Sequence, residues 1–139
     1  MIKLLQSYIR NEISTLEFSK AVCSLDGIEK KVGRSRFLRL KHGDKATALM
    51  VFQTINECSV CSQLYTDDLA HSNNVRSTMD KLIQDSKLER TCEPLWYTPH
   101  LAKKNPYGAQ GFFTCKACGT IIDVCEPERM YAGCCEVIG

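Results

Sequence analysis

The sequence has no long hydrophobic run. Its first residues, MIKLLQSYIRNEIS, include Lys3, Arg10 and Glu12, so they lack the unbroken apolar stretch of a secretory signal. No later run approaches the roughly 20 apolar residues that a membrane-spanning helix needs. We therefore expect a cytoplasmic protein that does not insert into a membrane.

The sequence also has little of what catalysis requires. Its three histidines are His42, His71 and His100, and none lies in a recognisable protease or transferase motif. It contains no Gly-rich phosphate loop, paired-carboxylate motif or serine nucleophile elbow. A thioredoxin-like context for a redox-active cysteine pair is missing as well. The sequence therefore predicts a protein that is not an enzyme.

The net charge is small, and charge is concentrated in one run. A formal charge of +2 on 139 residues gives no general attraction to nucleic acid or to a membrane. A phosphate-binding run would need several cations on one face and aromatic residues for stacking, and only Phe37 is available. We expect a solvent-exposed face, with nucleic-acid binding as the alternative. The run consists of Lys30, Lys31, Arg34, Arg36, Arg39 and Lys41.

Apolar residues at helical spacing predict a helical N-terminal region. A first helix is expected over about residues 2–10, and Ser14 and Glu17 have the spacing of a capping box that begins a second helix. Asp44 can cap a long helix that runs through KATALMVFQTINECSVCSQLY. The same spacing predicts a further helix over about residues 75–89.

The C-terminal region changes to the pattern of strands. Three of the four prolines lie within residues 94–106 and predict an irregular loop. GFFTC and TIIDVC then read as two strands joined by the turn CKACG, and CCEVI adds a third. The sequence therefore predicts one α+β domain over residues 1–139, in which residues 1–90 are mainly helical, residues 91–111 form a Pro-rich loop and residues 112–139 form a β-hairpin.

Nine cysteines are present, and an odd number does not complete a disulfide framework. In a reducing compartment, metal binding is the leading interpretation. Two Cys-x-x-Cys pairs, Cys58 with Cys61 and Cys115 with Cys118, can supply the four thiolates of a structural zinc site. Gly119 permits a tight turn in which backbone N–H groups point at the sulfurs. The sequence predicts zinc as a structural cofactor, held in a zinc knuckle.

The ligand set has a rival. Residues 62–114 separate the two pairs, a gap longer than the roughly 15–20 residues of a compact zinc ribbon. Combining the second pair with Cys134 or Cys135 matches the ribbon spacing, with Cys125, His100 or a distant residue as fourth ligand. In a further interpretation, the first pair is simply buried in its helix.

Two segments contain a series of recognisable features. In SYIRNEISTLEFSKAV, a short helix, an Ile-Ser step and a Glu-Phe pair introduce the next helix. In GFFTCKACGTIIDVCEPERMYAGCCEVI, an aromatic strand and a Cys-x-x-Cys-Gly turn precede a Pro-Glu pair and a glycine before the last strand. The first resembles the opening of small bacterial immunity proteins, including colicin D immunity-like ones. The second resembles the tail of immunity proteins from polymorphic and contact-dependent toxin systems.

The resemblance implies a non-enzymatic cytosolic protein that binds a cognate bacterial toxin domain, such as a nuclease, and blocks it. The alternative is a zinc-ribbon protein that binds nucleic acid or has a regulatory role. Anchors of a protein interface are expected among aromatic and charged residues. Trp96 and Tyr97 can instead cover the core. The predicted partner-binding residues are Trp96, Tyr97, Tyr107, Glu126, Glu128 and Tyr131.

Overall fold

The computed structural model describes residues 1–61, 75–97, 110–125 and 134–139. Helices fill most of the N-terminal region and an antiparallel sheet lies in the C-terminal region, which confirms the predicted α+β class. None of the described helices is long and apolar enough to cross a membrane. The described elements are α1 Ile2–Ile9, α2 Thr15–Ser24, α3 Ile28–Val32, α4 Arg34–Lys41, α5 Lys45–Ile55, α6 Val75–Gln84, β1 Leu88–Thr91, β2 Gln110–Cys115, β3 Ile121–Cys125 and β4 Cys134–Val137.

The chain divides into two compact units. The first consists of Met1–Asn56 together with Gly139, and the second of Glu57–Ile138. Both Cys-x-x-Cys pairs belong to the second unit. The division does not test whether the chain folds as one domain, so a single domain over residues 1–139 stays a prediction.

The local sequence determines where α2 and α5 begin. Ser14 and Glu17 form the predicted capping box, in which the Ser14 N–H donates to Glu17 Oε2 at 2.8 Å and the Glu17 N–H donates to Ser14 Oγ at 3.3 Å. Hydrogen bonds from Ser14 lower the pKa of Glu17. At α5, Asp44 accepts from the N–H of Ala46 and from the Thr47 hydroxyl at 2.7 Å. Both predicted helix starts are confirmed.

Two stacked aromatic rings lie in the core of the first unit. The Tyr8 and Phe18 rings are parallel within 7°, with their centroids 3.9 Å apart. The Tyr8 hydroxyl donates to the carbonyl of Gly43 at 2.5 Å. Apolar spacing also predicts burial of Leu16, but that side chain is 64% exposed. Leu16 precedes the buried Phe18 by two residues, and residues two apart lie on nearly opposite sides of a helix. The other buried apolar residues of this unit are Leu5, Ile9, Val22, Ile28, Val32, Leu40, Ala48, Val51 and Phe52.

Two predicted helices are shorter than their sequence patterns indicate. Helix α5 ends at Ile55, and Asn56 is extended at φ −78° and ψ 100°, so the first cysteine pair lies beyond the helix. Helix α6 ends at Gln84, and Leu88–Thr91 forms β1 instead of a continued helix. Pairing of β1 with β2, a segment distant in sequence, favours the strand conformation over the local helical pattern.

The second unit contains an antiparallel sheet with the strand order β1-β2-β3-β4. The predicted hairpin is formed by β2 and β3, which place Phe113 opposite Ile122. Strand β1 places Leu88 opposite Cys115. The predicted third strand is present as β4, which pairs with β3. This topology brings the Cys-x-x-Cys turn to the end of the hairpin, beside the residues that precede β1.

Candidate metal centre

Four cysteine sulfurs come together in the second unit. The Sγ atoms of Cys58, Cys61, Cys115 and Cys118 all lie within 4.8 Å of one another. Sγ of Cys58 is 3.7 Å from Sγ of Cys115, and Sγ of Cys61 is 3.5 Å from Sγ of Cys118. These distances far exceed the roughly 2.05 Å of a disulfide bond. The structure thus brings together the four cysteines that the sequence singles out, in an arrangement that can hold a metal ion.

The second cysteine pair is positioned by the turn between β2 and β3. The Gly119 N–H donates to the carbonyl of Cys115 at 2.7 Å, and the Cys115 N–H donates to the carbonyl of Thr120 at 2.8 Å. Gly119 has a φ of 74°, the left-handed conformation that glycine adopts readily. The N–H of Lys116 donates to the carbonyl of Lys87 at 3.0 Å, which joins the turn to the segment before β1. The predicted role of Gly119 in a tight turn is confirmed.

Hydrogen-bond donors surround the sulfurs of this turn. The backbone N–H groups of Ala117 and Cys118 donate to the sulfur of Cys115. The sulfur of Cys118 accepts from the N–H of Thr120 and from its hydroxyl, whose oxygen lies 3.0 Å away. Donors of this kind stabilise negative charge on sulfur and orient it toward a metal.

Burial and hydrogen bonding act in opposite directions on the pKa values of these thiols. Burial raises the pKa of Cys61 and the pKa of Cys115. At Cys118, burial is outweighed by the hydrogen bonds from Thr120 and by the neighbouring thiols of Cys61 and Cys58, so its pKa falls to about 7. A cation among four sulfurs favours the thiolate form of each, because opposite charge lowers a thiol pKa. The cluster therefore has the chemistry of a cation site.

The first cysteine pair lies in a different local structure from the one that the sequence predicts. Helical periodicity places Cys58 and Cys61 on one turn of a long helix, and this prediction is wrong. The intervening Ser59 and Val60 form a turn, and Val60 and Cys61 are buried while Cys58 is half-buried. Because α5 ends at Ile55, the cysteine pair lies in a turn that follows the helix and not within it.

Of the other cysteines, those whose side chains the structure describes lie outside this cluster. Cys23 and Cys92 are exposed. Cys125, Cys134 and Cys135 are described through their backbones, in β3 and β4, with Cys125 opposite Cys134. The rival ligand set with Cys134 or Cys135 therefore stays a hypothesis, and His100 lies outside the described residues.

The predicted partner-binding residues are only partly described. Tyr97 is half-buried, its hydroxyl donates to Asp123 Oδ2 at 2.9 Å, and its ring meets Phe112 edge-on at 5.8 Å. Trp96 is half-buried and contacts Tyr97 edge-on at 6.3 Å. Tyr97 thus covers part of the sheet and Trp96 packs against Tyr97, and the role of both in partner binding stays a prediction. Outside the described residues lie Tyr107, Glu126, Glu128 and Tyr131.

The structure shows two residues with contacts in this region that the sequence analysis does not predict. Thr120 supplies two donors to Cys118, and a hydroxyl residue directly after the Cys-x-x-Cys-Gly turn was a usable signal for it. Asp123 is buried and accepts from Tyr97 across 26 residues of sequence, a contact that no local pattern indicates.

Comparison of the chain with protein-family models, with curated protein sequences and with solved structures finds no match. The geometry of the cysteine cluster is therefore the strongest functional observation on this protein.

Proposed function

We propose that Cys58, Cys61, Cys115 and Cys118 bind one Zn²⁺ ion. The distances between their sulfurs carry this proposal. Four sulfurs at tetrahedral angles about 2.3 Å from a zinc ion lie roughly 3.8 Å from one another. Two of the distances between these sulfurs, 3.7 and 3.5 Å, already have this value. Binding of an ion therefore requires little rearrangement at these two contacts.

The ligand set favours a structural role for the ion. Four protein thiolates close the coordination sphere of zinc and leave no open position for water or substrate. Thiolate ligands select zinc, Cu(I) or iron, and a tetrahedral set of four sulfurs suits zinc and iron. An ion in this position would fasten the segment around Cys58 and Cys61 to the β2–β3 turn.

The metal content of the purified protein tests this proposal. Protein prepared without chelator should contain about one zinc per chain by elemental analysis, because a closed four-cysteine site retains its ion through purification. The protein should also be colourless, whereas an iron–thiolate site would absorb visible light. Protein without bound metal would contradict the site, and stoichiometric iron would contradict the choice of zinc.

We further propose that the protein is an immunity protein that binds and neutralises a cognate bacterial toxin domain. The resemblance of the two segments to such proteins supports this partner class. A sheet fastened by a metal ion also loses little conformational entropy on association, which favours tight binding. The protein would act through its surface rather than through catalysis.

Co-expression tests the proposed immunity function. If the reading frame directly upstream encodes a toxin domain, the chain should restore growth of cells that express that domain. It should also co-purify with the domain as a stable complex, because immunity complexes can approach the upper limit of non-covalent affinity. An unrelated toxin domain is the control and should remain lethal. If the upstream frame encodes a toxin domain and the chain does not protect cells against it, the immunity function is excluded. The zinc-site proposal does not depend on this outcome.

A further inference from the structure

A basic surface covers α3 and α4 in the first unit, and we name it the α3–α4 surface. The six Lys and Arg residues within residues 30–41 are all exposed, as the sequence predicts for a solvated face. Glu29 is the acidic residue nearest in sequence on these helices, and its Oε1 lies 3.8 Å from Nη1 of Arg34. The side chain of Arg34 is 82% exposed, so this ion pair is weak in water. The surface therefore keeps most of its positive charge.

Helix stability accounts for the cations in the last turns of α3 and α4, where the helix dipole favours positive charge, but not for the two at the start of α4. Arg34 and Arg36 lie in the first turn of this helix, which contains no acidic residue. The positive end of the helix dipole lies there, so two cations are unfavourable at that place. An anionic partner would relieve this unfavourable interaction, which points to a role in binding.

We infer that the α3–α4 surface binds the phosphate backbone of a duplex nucleic acid. Duplex DNA carries one negative charge per roughly 1.7 Å of its axis, and Lys, Arg and helix N-termini are the usual phosphate contacts. A single strand would also need exposed aromatic rings for stacking, and Phe37 on α4 is only half-exposed. This activity lies outside the metal site and goes beyond the proposed toxin binding.

An acidic protein surface is the less suitable partner. Protein interfaces have an apolar, aromatic-rich centre surrounded by charge. On α4 the exposed large apolar side chain is Leu38, at 43%, and a single exposed leucine is ordinary on a protein surface. Six exposed cations and one exposed leucine on α3 and α4 suit a uniformly charged backbone better than a packed interface.

Fluorescence anisotropy with the full-length protein tests this inference. The probes are a labelled DNA duplex, a labelled RNA duplex and the corresponding single strands. Each duplex has about 20 base pairs, which exceeds the footprint of one small domain. The duplexes should bind more tightly than the single strands. If three or four phosphates are contacted, raising NaCl from about 50 to about 200 mM should weaken duplex binding by roughly 40- to 150-fold. Absence of duplex binding at the lower salt would overturn the inference.

Charge-neutralising variants locate the binding surface. A triple variant, Arg34→Gln with Arg36→Gln and Arg39→Gln, should weaken duplex binding by more than about tenfold at low salt and flatten the salt dependence. The same three positions changed to Lys should retain binding within about twofold, because a lysine also contacts a phosphate. This second variant shows whether a loss in the glutamine variant follows from the missing charge, and loss of binding in a folded lysine variant would count against simple backbone contacts.

A matched control separates this surface from net charge. A second triple variant removes the same number of positive charges from exposed positions elsewhere. It combines Lys3→Gln, Lys20→Gln and Lys81→Gln. This variant should bind the duplex within about twofold of the wild type, because long-range charge effects are largely screened beyond a Debye length. Equal losses in both triple variants would show that net charge alone is responsible and would overturn the inference. Binding of poly-L-glutamate as tightly as the duplex would overturn it as well and indicate an acidic protein partner.

Discussion

Replacing Cys115 by serine is expected to abolish binding of the proposed zinc ion and to destabilise the second unit. The Cys115 side chain is fully buried, and its sulfur lies 3.7 Å from that of Cys58 and accepts two backbone N–H groups. An ion present at a thousand times its dissociation constant stabilises the folded state by about 4 kcal/mol, and this contribution is lost with the ion. Elemental analysis and urea unfolding of the full chain measure the two effects.

Three further serine variants identify the ligand set. Cys58→Ser should release zinc as completely as Cys115→Ser, whereas Cys23→Ser should retain the ion because that thiol is exposed on α2 in the first unit. Cys134→Ser should also retain it. If Cys134→Ser released the ion and Cys58→Ser did not, the compact ribbon would be the correct arrangement.

A second large effect is expected from Gly43→Ala in the first unit. Gly43 has a φ of 73°, and an added Cβ would lie 2.3 Å from Cγ2 of Thr15 and 2.9 Å from the Tyr8 hydroxyl oxygen. The left-handed conformation costs an alanine roughly 1–2 kcal/mol. Steric overlap of the added Cβ with Thr15 and with the buried Tyr8 adds about 1–3 kcal/mol, the range for overpacked sites. We expect a loss of about 2–5 kcal/mol in the free energy of unfolding, measured by urea denaturation followed by circular dichroism.

Gly27→Ala is the matched control for this substitution. Gly27 has the same φ of 73°, but no atom lies within 4 Å of an added Cβ, so only the backbone cost of about 1–2 kcal/mol applies. Adding Thr15→Ser to Gly43→Ala removes Cγ2 and should recover some of the lost stability, because the two sites are in direct contact. Equal losses at Gly27 and Gly43 would show that the close contact with Thr15 and Tyr8 contributes nothing.

Features that depend on neighbours in the chain were predictable from the sequence. The capping box of Ser14 and Glu17, the Asp44 cap and the tight turn at Gly119 each involve residues within a few positions of one another. The two strands of the hairpin also follow from alternation and a turn between them. These contacts form wherever the local sequence permits them, so a pattern of residue types is sufficient to predict them.

Features that depend on distant partners were not predictable. The segment after α5 continues a helical pattern, yet Cys58 and Cys61 leave the helix and meet sulfurs on the β2–β3 turn. The charged sequence Leu88–Thr91 resembles a helix end but pairs with β2. In both cases tertiary contacts outweigh weak local preferences, which amount to less than about 1 kcal/mol per residue. Spacing identified the cysteines of the candidate site, whereas their approach depends on the fold.

The cysteine cluster also has a consequence for the connectivity of the chain. Cys58 and Cys115 are 57 residues apart, as are Cys61 and Cys118, so an ion bound by all four closes a ring of backbone that contains α6 and β1. Because closure entropy rises only slowly with ring size, residues could be inserted between the ligands at little thermodynamic cost. A single backbone cut inside the ring would leave two fragments that remain joined through the ion, and removing the ion would take away that link.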